Sequence, residues 1–189
     1  GAELVIESKI EITSAVVRPL SAGITPEIRE GKIFLAADKA AKLSLEINGG
    51  YENNLMVFID EEKYTDFVPD EKTIVFRRGI HDADTVVIDS DHTTLYLEDG
   101  AVLNGNIKVL NCSDVTICGR GIVCMEKYTY EMRKDFARSI DVVNCKDVKI
   151  SDIIISDSND WSLRLNGCDD VRIENVKIFG CRGNSDGID

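Results

Sequence analysis

The segment Asn111-Cys112-Ser113-Asp114-Val115-Thr116-Ile117 returns twice further along the chain and decides the fold. Its second copy is Asn144-Cys145-Lys146-Asp147-Val148-Lys149-Ile150, and its third, behind Asn166-Gly167, is Cys168-Asp169-Asp170-Val171-Arg172-Ile173. The second and third copies are 23 residues apart, and the first and second are 33 apart, so one turn of the repeat carries an insertion of 10. Strand-length repeats at this period, without long helices, predict a parallel β-helix in which stacked coils share one core.

The chain before the repeat also consists of apolar runs of strand length separated by turn residues. After Pro69, Ile74-Val75-Phe76 and Leu95-Tyr96-Leu97 predict the first coils of the same solenoid. Before Pro69, two apolar runs flank Asn48-Gly49-Gly50, a sequence typical of a tight hairpin turn. We therefore predict an all-β chain, with a small N-terminal β-sandwich over residues 1–72. A parallel β-helix of about four coils, truncated at its C-terminal end, is expected over residues 73–189.

The insertion lies within residues 124–138, between the first and second copies of the repeat. Met125, Tyr128, Met132 and Phe136 are spaced by three, four and four residues, which suits one face of a helix. This spacing predicts a short helix packed on the solenoid wall. A loop that lines a groove is the alternative.

The composition narrows the possible partners. The 189 residues include 22 basic and 34 acidic side chains, giving a net charge of −12, and 43% are hydrophobic, which supports a packed core. We expect no nucleic-acid partner, because such proteins present a basic surface. We expect no membrane partner either, because no apolar run approaches the roughly 18 residues of a spanning helix.

The six cysteines are predicted to be free thiols. Cys112, Cys145 and Cys168 each stand three residues before the valine of their repeat, so stacked coils would bring their sulfurs into one buried ladder, where cysteine packs as a small apolar side chain. No C-x-x-C pair is present, so we predict neither a structural zinc site nor any other cofactor. Free thiols are compatible with a reducing compartment.

The end of the chain, Asn184-Ser185-Asp186-Gly187-Ile188-Asp189, resembles the Asn-Thr-Asp-Gly motif of glycoside hydrolase family 28, with serine in place of threonine. Gly119-Arg120-Gly121-Ile122, the run Trp161-Ser162-Leu163-Arg164-Leu165 and the repeated Val-x-Ile coils are also similar to this polygalacturonase family. The resemblance implies a right-handed parallel β-helix over residues 74–189. A sandwich ahead of the solenoid is similar to the arrangement in dextranases and isopullulanases.

The resemblance implies hydrolysis of pectin-related polysaccharide with inversion, in which one carboxylic acid protonates the leaving oxygen and a second activates water. Asp186 would then be a catalytic aspartate, and Asn184 its motif partner in substrate binding. The family's Asp-Asp pair, His motif and Arg-x-Lys clamp are not among these residues. We therefore expect a weakly active or inactive part of a longer enzyme. The family also implies a secreted or periplasmic location, although no signal-peptide pattern opens the chain.

The residues themselves suggest further site candidates. Arg138, Arg164 and Arg182 could bind sugar carboxylates through paired hydrogen bonds, although solvated surface charge is at least as good an account of each. Ser162 and Arg164 alternate with apolar neighbours and are predicted to face solvent. Asp186 follows Leu163 by 23 residues, so a strict period would bury it, whereas a bulge would turn it outward.

Two other functions are compatible with the sequence. One is a dextranase-like hydrolase of neutral α-glucan, which the net negative charge slightly favours. The other is a non-catalytic carbohydrate-binding or structural β-helix, with Asp186 merely in a turn, where Asn, Asp and Gly are common. Under either hydrolase reading the partner is a polysaccharide or oligosaccharide substrate. We also expect self-association through the C-terminal coil, where strand edges would be unpaired.

Overall fold

A computed structural model of the protein describes residues 1–50, 52, 54–64 and 66–189. The chain divides into two compact units, Gly1–Asp66 and Phe67–Asp189. Within the described residues the helices are two short 3-10 segments, Leu20–Ala22 and Tyr130–Lys134, so the predicted all-β class is confirmed. None of these helices has the length and apolar character that crossing a bilayer requires.

The first unit contains two three-stranded antiparallel sheets, ordered β1-β4-β3 and β2-β5-β6. Its strands are β1 Ala2–Ile6, β2 Ala15–Arg18, β3 Glu27–Arg29, β4 Lys32–Ala37, β5 Ala41–Ile47 and β6 Leu55–Ile59. Ile33 and Leu35 from one sheet and Leu43 and Leu45 from the other are buried in one cluster. These residues alternate with more exposed ones, as expected where each sheet turns one face to a shared core.

The second unit is a parallel solenoid in which each coil crosses three faces. Its strands are β7 Thr73–Phe76, β8 Gly79–Ile88, β9 Thr94–Leu97, β10 Ala101–Leu110, β11 Ser113–Gly119, β12 Ile122–Cys124, β13 Ile140–Val143, β14 Lys146–Ser151, β15 Ile154–Ser156, β16 Leu163–Asn166, β17 Asp169–Glu174 and β18 Lys177–Phe179. The first face is β7, β9, β11, β14 and β17. The long strands β8 and β10 run from the second face, shared with β12, β15 and β18, onto the third, shared with β13 and β16.

The repeat stacks in register, as the sequence predicts. Val115 lies opposite Val148, which lies opposite Val171, and the isoleucines two residues later pair in the same way. All these pairings are parallel, and the described residues form five coils of a right-handed parallel β-helix, where the repeat predicted about four. The predicted fold class is confirmed.

Asparagine recurs in the repeat because the turn before the first face needs a left-handed backbone. Asn111 and Asn144 both have φ of 52°, and Gly167 occupies the same place with φ of 64°. Asparagine and glycine are the residues that adopt this conformation at least cost. Asn144 Nδ2 also donates to Asn111 Oδ1 at 3.2 Å, so the turns are linked from coil to coil.

Of the predicted thiol ladder, Cys112 and Cys145 are buried beside these turns, while Cys168 is half-buried. The Sγ atoms of Cys112 and Cys145 are 4.0 Å apart, and all six cysteines are free. Cys145 Sγ donates to the carbonyl of Val109, and Cys168 Sγ donates to that of Val142, so each thiol finds an acceptor on the coil before it. Burial, together with the neighbouring Cys145, raises the pKa of Cys112 to about 11.

The last described coil has two apolar side chains that are partly exposed. Ile188 is 52% exposed and Phe179 is 37% exposed, while their counterparts in earlier coils are buried or half-buried. Self-association through this coil stays a prediction.

Candidate functional site

Three loops lie at one corner of the solenoid, where the chain passes from the second face to the third. They are residues 125–139, which contain the insertion, residues 157–162 and residues 180–186. We call this the loop corner. Because the strands on either side are in register, the three loops are stacked side by side and contact one another through both backbone and side chains.

The insertion is mostly irregular rather than helical. Its helix is limited to the 3-10 segment Tyr130–Lys134, so the spacing of apolar residues overestimated the helix. Met125 and Tyr128 are fully buried, and the Tyr128 ring stacks on that of Phe136 with centroids 4.3 Å apart. Met132, on the predicted apolar face, is 41% exposed. The apolar residues serve to pack a folded loop.

Polar contacts hold the insertion against strand β8 of the first coil. Lys127 Nζ donates to Asp82 Oδ1 at 2.9 Å, and Tyr128 Oη donates to Asp84 Oδ1 at 3.0 Å. The hydrogen bonds from Lys127 and Asn104 hold the pKa of Asp82 below its usual value. Burial, and then the hydrogen bond to Asp84, raise the pKa of Tyr128. The insertion is therefore a loop tied down at its base.

Arg182 ties the insertion to the last coil. Its guanidinium donates to the carbonyls of Met125, Glu126 and Tyr128, and to Asn159 Oδ1. These four bonds occupy both terminal nitrogens. Arg182 therefore holds the loop that carries Asn184 and Asp186 against the insertion, and only its Nε remains for a substrate group.

The other two predicted arginines meet at an aspartate on the third face. Arg164 donates to Asp141 from Nε at 2.7 Å and from Nη2 at 2.9 Å, a bidentate ion pair in which Asp141 is only 8% exposed. Arg138 Nη1 lies 4.0 Å from the same carboxylate, and its guanidinium carbon lies 5.0 Å from the centroid of the Trp161 ring. We call Arg138, Asp141, Trp161 and Arg164 the arginine–tryptophan cluster.

Asp186 is exposed rather than buried. The last coil pairs Ile188 with Leu163, 25 residues earlier, so the loop is two residues longer than the strict period of 23 assumes. This shift gives Asp186 the place that Trp161 has in the coil before and that Arg138 has two coils before. Its backbone carbonyl accepts a hydrogen bond from Ser162 N at 2.8 Å. Next to it, Asn184 Nδ2 donates to Asp160 Oδ1.

The prediction that Ser162 faces solvent is wrong. Ser162 is completely buried, and its Oγ accepts a hydrogen bond from Ser158 Oγ at 3.0 Å, which in turn is 2.7 Å from Ser139 Oγ. Strict alternation fails because the backbone bends at the loop corner just before β16. The three buried hydroxyls satisfy one another and join the loops of two coils.

Two components of the site were missed by the sequence analysis. Asp141 and Trp161 were not named as site residues, although the register of the repeat aligns Asp141 with Arg164 and Trp161 with Asp186. The period of 23 residues is enough to align Asp141 with Arg164, whereas the alignment of Trp161 with Asp186 depends on a loop length that one sequence does not fix. Within the described part of the chain, no three His, Cys, Asp or Glu side chains come together as a metal site would need.

Comparison with known proteins supports the fold assignment through one solved structure, over part of each chain. No family model and no curated protein sequence matches the chain. Among solved structures, a "putative glycosyl hydrolase" from Parabacteroides merdae ATCC 43184 matches with a TM-score of 0.50 and 20% identity, over 56% of this chain and 59% of that one. Dex49A from Penicillium minioluteum matches with a TM-score of 0.47 and 12% identity, over 87% of this chain and 54% of that one. The chain thus spans little more than half the length of each of these two proteins, and the likeness to the first is one of fold.

Proposed function

We propose that this chain is part of a glycoside hydrolase of the polygalacturonase type, with its active site at the loop corner and Asp186 as one of the catalytic carboxylates. One observation supports this most: Asp186 is exposed at the loop corner, in register with Trp161 and Arg138. A carboxylate at the same place in the stack of coils as an aromatic ring and a guanidinium is suited to a polar sugar ring. The name of the Parabacteroides merdae protein is in keeping with a hydrolase on this fold.

Inverting hydrolysis needs a second carboxylate about 6.5–9.5 Å from the first, on the opposite side of the scissile bond. Within the chain, Asp141 is engaged by Arg164 and Asp160 by Asn184, so neither is free for this role. The family-28 resemblance implies an Asp-Asp pair one coil after Asp186. We therefore propose that Asp186 works with a carboxylate of the following coil in the whole protein.

A neutral α-glucan is the second candidate substrate, and the charges favour it. The chain has a net charge of −12. The terminal nitrogens of Arg182 and the paired edge of Arg164 are already bonded within the protein, so these groups are engaged and do not face the carboxylates of a polyuronate as free cations. A dextran-type chain would not need them.

The test is the release of reducing ends from polygalacturonate and from dextran by the product of the whole gene. Asp186→Asn is expected to lower kcat by about 10²–10⁴-fold, because the loss of an acid–base group costs that much. Asp169→Asn, which removes an exposed aspartate on the first face of the same coil, is the matched control and should keep full activity. Equal activity in Asp186→Asn and wild type would remove Asp186 from the mechanism. Hydrolysis of dextran but not of polygalacturonate would replace the polygalacturonase-type substrate with the neutral α-glucan.

A further inference from the structure

The indole of Trp161 stands at the loop corner with the guanidinium of Arg138 against one of its faces. Arg138, Trp161 and Asp186 take the same place in three successive coils, and the strands of such coils are about 4.8 Å apart. The Arg138 guanidinium lies over the indole from the preceding coil. The other face of the ring is therefore turned toward the coil that carries Asp186, and the residue remains half-buried at the surface.

The arginine–tryptophan cluster fixes this ring in place. Arg164 holds Asp141 by two hydrogen bonds, Asp141 lies 4.0 Å from Arg138, and Arg138 lies on the indole. A ring fixed before binding loses little conformational entropy when a ligand packs on it. Trp161 is also absent from the apolar cluster in the solenoid interior, so the core does not account for its size.

Polar groups that a saccharide could use lie in the same part of the loop corner as the ring. Arg138 Nε is buried and meets no acceptor among the residues that the structure describes. A buried donor without an acceptor is unfavourable, so a ligand oxygen that reached it would be favoured there. Asp160 and Asn184, hydrogen-bonded to each other beside Trp161 and Asp186, add oxygen and nitrogen atoms at the rim.

From this arrangement we infer that Trp161 and Arg138 form a saccharide subsite, in which the apolar face of one pyranose ring packs on the indole and a ring substituent oxygen accepts a hydrogen bond from Arg138. The inference rests on the proposed function, because it concerns the same loop corner, but it concerns binding and needs no hydrolysis. An indole has a large apolar face, and its contacts supply much of the binding energy in pockets of this kind.

Trp161 is the single tryptophan of the chain, so its fluorescence reports on the subsite directly. The chain is titrated separately with an oligogalacturonate and with an isomalto-oligosaccharide. A saturable change in emission with either saccharide, accompanied by protection from acrylamide quenching, is the expected result, and the tighter ligand identifies the sugar class. Unchanged emission and unchanged quenching with both saccharides would overturn the inference.

Variants of Trp161 test whether stacking on the indole is the cause of saccharide binding. Calorimetric titration measures the affinity of each variant. Trp161→Ala should bind about tenfold more weakly, while Trp161→Phe keeps a ring and should bind more tightly than the alanine variant. Phe34→Ala is the matched control, because Phe34 is also a half-buried ring under an arginine, Arg29, but belongs to the first unit and not to the loop corner. Wild-type affinity in a folded Trp161→Ala would refute the subsite. Asp186→Asn should retain saccharide binding. Failure of the proposed mechanism and failure of the proposed subsite therefore give different results.

Discussion

Arg164 holds Asp141 of the preceding coil through two parallel hydrogen bonds, Nε to Oδ1 at 2.7 Å and Nη2 to Oδ2 at 2.9 Å. Both residues are on the outer side of the third face, directly opposite each other in adjacent strands. The pair therefore adds a side-chain link between two coils whose backbones are already hydrogen-bonded to each other at this place. It also positions Arg138, the arginine that lies on Trp161.

We expect Asp141→Ala to lower the free energy of unfolding of the solenoid unit by about 3 kcal/mol, because it leaves a part-buried guanidinium without its counter-ion. Urea denaturation followed by Trp161 fluorescence measures this directly. The double variant Asp141→Ala with Arg164→Met should recover part of the loss, since the uncompensated charge is then gone. A loss below about 0.5 kcal/mol in Asp141→Ala would mean that the pair behaves like a surface ion pair.

Gly119 should tolerate no side chain. Its φ is +117°, and a Cβ atom there would lie 2.0 Å from the carbonyl oxygen of Leu97 in the coil before. We expect Gly119→Ala to destabilise the solenoid by roughly 3 kcal/mol or more, measured by thermal unfolding. Gly183→Ala is the control, because a Cβ atom there meets nothing within 4 Å and the change should be nearly neutral. Equal melting temperatures for the two variants would contradict the close stacking of these coils.

The thiols should differ in reactivity. Burial raises the pKa of Cys118 to about 11, as it does for Cys112, so few of these groups are ionised near neutral pH. Cys181 is exposed, although its hydrogen bond to Asp157 raises its pKa as well. Titration with an aromatic disulfide reagent should label Cys181 first in the folded protein and reach all six thiols only in denaturant. The variant Cys181→Ser should lose the fast phase, and rapid labelling of Cys112 would contradict the buried ladder.

The insertion should loosen in acid. Hydrogen bonds from Lys127 and Asn104 lower the pKa of Asp82 in the folded state, so their contribution is present at neutral pH and is lost as the pH falls through that lowered value. Amide hydrogen exchange, corrected for its intrinsic pH dependence, should show faster opening of residues 125–139 in acid than at neutral pH. Lys127→Met should remove most of the difference. An insertion equally protected at both pH values would show that the contact between Lys127 and Asp82 adds little to its packed rings and to the hydrogen bonds from Arg182.

The repeat predicts the solenoid well, because each copy carries the same turn, thiol and Val-x-Ile strand. Two features in each coil set the stacking. One is a turn residue that accepts a left-handed backbone, such as Asn111 or Asn144, and the other is an inward valine. The thiol ladder follows from the same spacing. These features depend on residues close together in the chain, which is why they can be read from one sequence.

The candidate site could be predicted only in part. Asp186, Asn184 and the three arginines were named, but their arrangement depends on loop lengths at the corner. Two extra residues before Ile188 move Asp186 from the buried position of Leu163 to the half-buried position of Trp161 in the loop corner. Likewise, Ser162 is buried because the chain bends just before its strand begins. Such effects come from contacts between coils, and no local pattern records them.

At the loop corner, the residues that could bind a ligand are different from the residues that keep the solenoid folded. The strands on both sides are in register through the backbone ladder, so the core is unaffected whether the connection has the 15 residues of 125–139 or the 6 of 157–162. Loop-closure entropy changes only slowly with such differences in length. Evolution can therefore lengthen, shorten or exchange these loops one coil at a time, and so adapt the protein to a new ligand, while the stacked strands that keep it folded need not change.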